Sequence, residues 1–367
     1  MNSMLRFNIK ILVATIAMTL LSSAVLAPSA SAVGPGVTAS TVLQLSGATD
    51  GHLSKIVSSD DGQSAIAMWT TGGQNPLRAR YWNGTGWQAA QTVFDAGGAM
   101  YEFTTAAAPN GKSFAIAYRS TSGYTYVHTA TVVADDVVWA TRVAPFGQSS
   151  YSYRPHLVYS GDSSKLMVVS EQAQGANYWL DIVSKSATIG ASGEVTWDTS
   201  AIAIPNTDPN SEANTTFFPK VSLSHDGSSG VVVFGREIPA SFNGYEKIQA
   251  SYYSCSGSPE SCTWSENVDL TTDTSLFRHP EVKISADGQT AIAAWESGGI
   301  YAKTASLVAG TMTWSATTTT IASDGNAGGL ELAATSAGTK VTLAWTSSGA
   351  VRSATTLDNG STWTTTK

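Results

Sequence analysis

Phe277-Arg278-His279-Pro280-Glu281-Val282-Lys283-Ile284-Ser285 opens the stretch that decides the fold. The chain turns at Asp287-Gly288 and continues as Thr290-Ala291-Ile292-Ala293-Ala294-Trp295-Glu296. It turns again at Ser297-Gly298-Gly299, runs on as Ile300-Tyr301-Ala302-Lys303-Thr304-Ala305, and reaches Trp314 after a third turn. Four short runs of β character are thus separated by three turns, and no 3.6-residue period is sustained.

The same unit recurs along the chain. Trp87, Trp139, Trp197, Trp264, Trp314 and Trp363 each follow a polar or Gly-containing turn and precede a run of Thr, Ser, Ala or Val. Upstream of them, Trp69, Tyr118, Phe234, Trp295 and Trp345 lie in alternating apolar runs, and Ser170 takes that place in the third unit. The later Trp residues are about 50 residues apart, the period of a four-stranded propeller blade. The expected fold is all-β: a six-bladed β-propeller of four-stranded antiparallel blades. The blades are expected at about 52–94, 101–146, 153–204, 217–270, 277–322 and 328–367, in a single domain over residues 33–367.

First strands are read at Leu53–Ser58, Phe103–Ala108, His156–Ser160, Lys220–Ser224, Glu281–Ser285 and Leu330–Thr335. The turns after them carry Asp61-Gly62, Asn110-Gly111, Gly161-Asp162, Asp226-Gly227, Asp287-Gly288 and Ala337-Gly338. Asn-Gly and Asp-Gly supply the positive φ that tight hairpins need. Second-strand runs such as Val231-Val232-Val233-Phe234 are almost wholly apolar, as expected of strands buried on both faces. The sixth unit stops four residues after Trp363, while residues 40–46 (Ser40-Thr41-Val42-Leu43-Gln44-Leu45-Ser46) belong to no complete unit. That strand is expected to complete the sixth blade and close the ring without an open sheet edge.

Residues 1–32 read as a secretory signal peptide. Arg6 and Lys10 precede an apolar run from Ile11 to Ala27, and Ala30-Ser31-Ala32 supplies the cleavage motif. No later stretch is long and apolar enough to span a bilayer as a helix. The formal charge of -7 argues against nucleic acid or an anionic membrane as partner. In a secreted chain the two cysteines, Cys255 and Cys262, are expected to form a disulfide across their short loop. The five histidines stand apart from one another, so no metal site and no cofactor are expected. The protein is expected to be a monomer.

Two segments resemble the sialidase superfamily of six-bladed propellers. Phe277-Arg278-His279-Pro280 resembles its Phe-Arg-Ile-Pro motif, with His279 in place of Ile, and Tyr153-Arg154-Pro155 is a shortened relative. Thr356-Leu357-Asp358-Asn359-Gly360-Ser361-Thr362-Trp363 resembles the Asp-box of the same superfamily, with Thr for Ser. The resemblance implies a carboxylate-binding role for Arg278 and a structural hairpin at the Asp-box. The Arg motif lies in the fifth unit, whereas the superfamily carries it near the start of the propeller.

In a four-stranded blade, the start of the first strand and the end of the second lie at one face, around the mouth of the channel. The ligand-binding candidates there are Arg119, Arg154, Arg236, Arg278 and His279, with Trp179 and Tyr245 on the adjoining loops. Arginines that converge could grip a carboxylate. Glu171, Glu237, Glu296 and Tyr245 are the catalytic candidates, for acid/base or nucleophilic work. The bland alternative is a rim of Arg–Glu pairs that solvates one end of the propeller. The leading functional reading is a secreted protein that binds carbohydrate at the channel mouth. An exo-acting glycoside hydrolase of sialidase type and an extracellular protein-interaction scaffold stand as alternatives.

Overall fold

The computed structural model describes residues 52–70, 76–94, 100–149, 151–174, 179–205, 215–237, 247–256, 261–272, 278–323, 329–335 and 340–366. Among them there is no helix, and the strands form six antiparallel sheets that follow one another in the chain. We number these sheets 1 to 6. Their inner strands are His52–Ser58, Met100–Ala107, Ser152–Tyr159, Thr215–Leu223, Arg278–Ile284 and Glu331–Ala334. The second strands are Ala65–Thr70, Ser113–Ser120, Lys165–Gln174, Ser229–Glu237, Thr290–Glu296 and Val341–Ser347.

Both faces of the second strands are used, because alternate side chains serve opposite neighbours. In sheet 5, Ala293 and Trp295 pack with Val231 and Val233 of sheet 4, while Ile292 and Ala294 pack with Leu332 and Leu343 of sheet 6. Corresponding cores join sheets 1 and 2, 2 and 3, and 3 and 4. Six sheets stacked face to face in chain order, each with its first strand innermost, make a β-propeller. Residues 1–32 and the strand expected at 40–46 lie outside the described residues.

Four of the turns after the inner strands share one hydrogen-bond design. In sheet 4 the Ser224 hydroxyl donates to Asp226 Oδ1 at 2.8 Å and accepts the Ser229 N–H at 3.1 Å. Asp226 Oδ1 in turn accepts the Ser228 N–H at 2.9 Å. Ser59/Asp61, Ser160/Asp162 and Ser285/Asp287 repeat it. The third turn corrects the sequence reading. Asp162 is the equivalent of Asp226, and Ser163, at φ 66°, takes the left-handed place that glycine fills elsewhere. The turns also bond sheet to sheet. Asp60 N–H donates to Pro109 O, Asn110 N–H to Ser163 Oγ, Asp162 N–H to His225 O and His225 N–H to Ala286 O, at 2.6–3.0 Å.

The inner strands of sheets 3, 4 and 5 begin earlier than alternation suggests. Pro155, Pro219 and Pro280 lie inside them. Each inner strand is an edge of its sheet, and the ladder register shifts beside each proline. A proline at an edge bulge removes no ladder bond, so the strand continues through it. Cys255 and Cys262 form the expected disulfide across a hairpin of sheet 4.

Candidate functional site at the channel mouth

The three bulges build the mouth. Arg154, Phe218 and His279 each precede the proline and each have positive φ, at 44°, 53° and 49°. A residue before proline is steered away from the right-handed helical region, and the left-handed alternative costs a non-glycine residue roughly 1 kcal/mol or more. Carboxylates from the preceding sheet hold two of these residues in place. Glu102 of sheet 2 accepts the Arg154 N–H at 2.9 Å, and Glu171 of sheet 3 accepts the Phe218 N–H at 2.7 Å.

Glu171 also faces the Arg154 guanidinium. Nη1 of Arg154 lies 3.1 Å and 2.9 Å from its two oxygens. Glu171 is fully buried, while a third of the Arg154 side chain stays exposed. Burial pushes the Glu171 carboxyl up to about 7, against the opposing pull of Arg154 and of the Phe218 N–H. The guanidinium carbon sits 4.3 Å above the Phe218 ring and 5.5 Å from that of Phe217. Next to it, the Arg119 guanidinium lies 4.1 Å from the Tyr153 ring centre. On sheet 5, His279 Nδ1 donates to Glu296 Oε2 at 3.0 Å, and the imidazole remains substantially exposed.

The structure thus brings Arg154, Glu171 and Arg119 to the side of the mouth formed by sheets 2 to 4, and His279 with Glu296 to sheet 5. Arg236 lies on the second strand of sheet 4, half-buried, where it acts on Asp269 at the outer edge of its own sheet. Arg278 pairs through its backbone with Glu296, Glu237 with Thr215 and Trp179 with Gln174. The side chains of these three candidates, and the whole of Tyr245, lie outside the described residues. The register also revises the motif alignment. Counted from the prolines, Arg154 is the equivalent of His279, and Tyr153 is the equivalent of Arg278.

A second tier of groups lies two residues deeper on the inner strands, and the sequence reading missed it. Lys55, His156, Lys220, Glu281 and Glu331 each stand four residues before the turn hydroxyl, and Lys283 lies one pleat below Glu281. Lys220 Nζ is 2.5 Å from Glu281 Oε1. The Val221 N–H reaches His156 Nδ1 at 3.3 Å. Burial drives the His156 imidazole well below its ordinary range, and Lys220, Lys283 and Lys55 add to the effect. Burial also lowers Lys283 and raises Glu281. For Lys220, the attraction of Glu281 and Glu331 outweighs burial and raises it. The tier was legible as one ionisable residue at constant spacing in five of the six units, with Thr104 in that place in sheet 2, once strands had been aligned on their turns. Among the described residues no three His, Cys, Asp or Glu side chains are grouped to hold a metal.

No family model matches the chain. A search of curated proteins also finds no match. Among solved structures the chain is similar to the WD40 domain of SCAP from fission yeast. Identity there is 9%, over 85% of this chain and 72% of that one, with a TM-score of 0.48. It is similar to the β-propeller domain of the Trilobed protease from Pyrococcus furiosus, at 11% identity over 83% and 81% of the two chains, TM-score 0.43. It is similar, too, to a Hadza microbial sialidase, at 16% identity over 68% of this chain and 56% of that one, TM-score 0.39. The chain therefore spans little more than half the length of that sialidase. Likenesses at this level say nothing about activity, and the propeller assignment rests on the packing of the sheets themselves.

Proposed function

We propose that this is a secreted six-bladed propeller that binds carbohydrate at the channel mouth. The observation that carries the reading is Arg154. Its guanidinium is fixed by buried Glu171, laid over the Phe218 ring, and still open to solvent along one side. A planar donor beside aromatic faces suits a sugar, whose hydroxyls take hydrogen bonds and whose C–H faces stack. His279, held by Glu296, offers a further polar group on the neighbouring sheet.

Secretion is supported by the signal-peptide pattern of residues 1–32 and by the disulfide. Ring closure by residues 40–46 is supported by sheet 6. In sheet 5, Thr319–Ala322 pairs with the start of the third strand. In sheet 6, Thr364–Thr366 covers only Ser353–Thr355. Among the described residues the outer side at 350–351 carries no ladder partner, which leaves a place for one more strand. The Asp-box reading is supported by the hairpin at Asp358. Its oxygens take the Thr356 hydroxyl and the Thr362 N–H and hydroxyl, while the Trp363 indole N–H donates to Gly360 O.

Screening the full chain on a glycan array tests the reading. Binding to a defined sugar class is expected, and Phe218→Ala should weaken it about tenfold, the value of one aromatic contact. Failure to retain any glycan would remove carbohydrate as the ligand. The sialidase-type reading is favoured by one feature, the Glu171 carboxyl held at about 7, a range useful to a general acid. Release of the fluorophore from a fluorogenic sialoside, abolished in Glu171→Gln, would favour the enzyme. Glycan binding without turnover would favour the lectin.

A further inference from the structure

A row of tyrosines continues outward from the mouth between sheets 2 and 3. Tyr151 and Tyr153 stand at the start of the inner strand of sheet 3, and Tyr124 leads into the third strand of sheet 2, Thr125–Val133. The Tyr124 and Tyr151 rings stack 6.0 Å apart with their planes 18° from parallel. Tyr153 lies opposite Glu171 in the ladder, beneath the Arg119 guanidinium, and Arg154 follows it in the chain. The inner end of the row is therefore the mouth itself.

The backbone fixes this row. Gly123 has φ 84°, and a Cβ there would collide with the Tyr151 ring. The ring lies directly against the turn of sheet 2 because residue 123 has no side chain. The Ser152 N–H donates to Gly123 O at 2.8 Å and the Thr125 N–H to Ser152 Oγ at 2.6 Å, which ties the two sheets together beside it. The Ala173 N–H donates to Tyr151 O at 2.8 Å. Yet Tyr151 remains 41% exposed. An aromatic ring held this firmly and left open to water favours a ligand with an apolar face, because little ordering is needed on binding.

We infer that Tyr151, backed by Tyr124, is a second sugar subsite, and that the ligand is a β-linked oligosaccharide running from the mouth across sheets 2 and 3. The inference rests on the carbohydrate reading of the mouth and extends it from one sugar to a chain. Pyranose rings with equatorial hydroxyls present flat C–H faces, and β-linkage between them makes an extended ribbon. Such a ribbon can lay one unit beside Arg154 and Phe218 and a further unit on the Tyr151 ring, with the Arg119 guanidinium as a donor between them.

Isothermal titration of the full chain with glucose, N-acetylglucosamine, cellotetraose and chitotetraose tests the subsite. One tetrasaccharide is expected to bind about tenfold tighter than its own monosaccharide, the value of one further aromatic contact. Tyr151→Ala should remove that advantage and leave the monosaccharide affinity unchanged, whereas Tyr151→Phe keeps the ring and should retain most of it. Phe218→Ala should weaken monosaccharide and tetrasaccharide alike, which separates the mouth from the outer subsite. A tetrasaccharide bound no tighter than its monosaccharide, or an advantage that survives Tyr151→Ala, would overturn the inference and leave the mouth reading standing. Absence of binding with all four sugars would overturn it too, and the glycan array then shows whether the mouth reading falls with it.

Discussion

Glu171 gives the sharpest test of how the mouth is built. Its fully buried carboxylate holds the Arg154 guanidinium through both oxygens and accepts the Phe218 N–H. Glu171→Ala removes all of these bonds. An amide left without an acceptor costs about 1–3 kcal/mol. The Arg154 side chain is one-third exposed and rehydrates, so the loss of its pair is set at about 1 kcal/mol. A total of about 2–4 kcal/mol should lower Tm by roughly 4–8 °C in a chain of this size. Glu171→Gln keeps an oxygen for the Phe218 N–H and should cost about half as much.

The pH dependence separates the two variants further. The Glu171 carboxyl is held at about 7 in the folded protein, against an ordinary 4.5. The folded state therefore binds this proton more tightly than the unfolded chain. Its contribution to stability is complete below about pH 4.5 and is lost as pH rises through about 7. At about 1.4 kcal/mol per tenfold change in affinity, the total is on the order of 3 kcal/mol. Urea unfolding followed by Trp fluorescence should show the wild type gaining on Glu171→Gln between pH 8 and pH 5. An unchanged midpoint in Glu171→Ala, or an identical wild-type-to-Gln gap at both pH values, would refute the reasoning.

Other outcomes follow from the packing and the turns. Trp295, 2% exposed between sheets 4 and 5, should cost about 3–5 kcal/mol as Trp295→Ala, read as a lower urea midpoint. Ala309 has φ 50° in a two-residue hairpin completed by Gly310. Asn-Gly suits such a hairpin better, so Ala309→Asn should stabilise by about 1 kcal/mol and raise Tm in calorimetry. The Cys255–Cys262 disulfide closes a loop with a sequence separation of 7. Its removal in the Cys255→Ser/Cys262→Ser double variant should cost about 2–3 kcal/mol, with no further loss when reductant is added.

The architecture was legible because its signals are local. Asp-Gly pairs, alternating runs and a recurring Trp each describe a few neighbouring residues, and six repetitions made the period plain. The third turn was misaligned because its left-handed place belongs to Ser163 rather than to a glycine. The mouth was read in outline. The positions of Arg154, Glu171, His279 and Glu296 followed from strand order, whereas their partners did not. That Glu171 would bridge Arg154 and the Phe218 N–H depends on a bulge in one sheet meeting a carboxylate from the sheet before it.

The bonds between turns have a consequence for how many units such a chain can carry. Each joint uses a turn N–H as donor; three are received by a backbone carbonyl of the next turn, as Asp60 by Pro109 and His225 by Ala286, and Asn110 by the Ser163 hydroxyl. Nothing in one of these joints refers to the total. A tandem duplication of an internal unit would find backbone donors and acceptors on both sides, so these joints do not fix the number of units. Duplication or loss of a unit should therefore be tolerated between sheets 2 and 5.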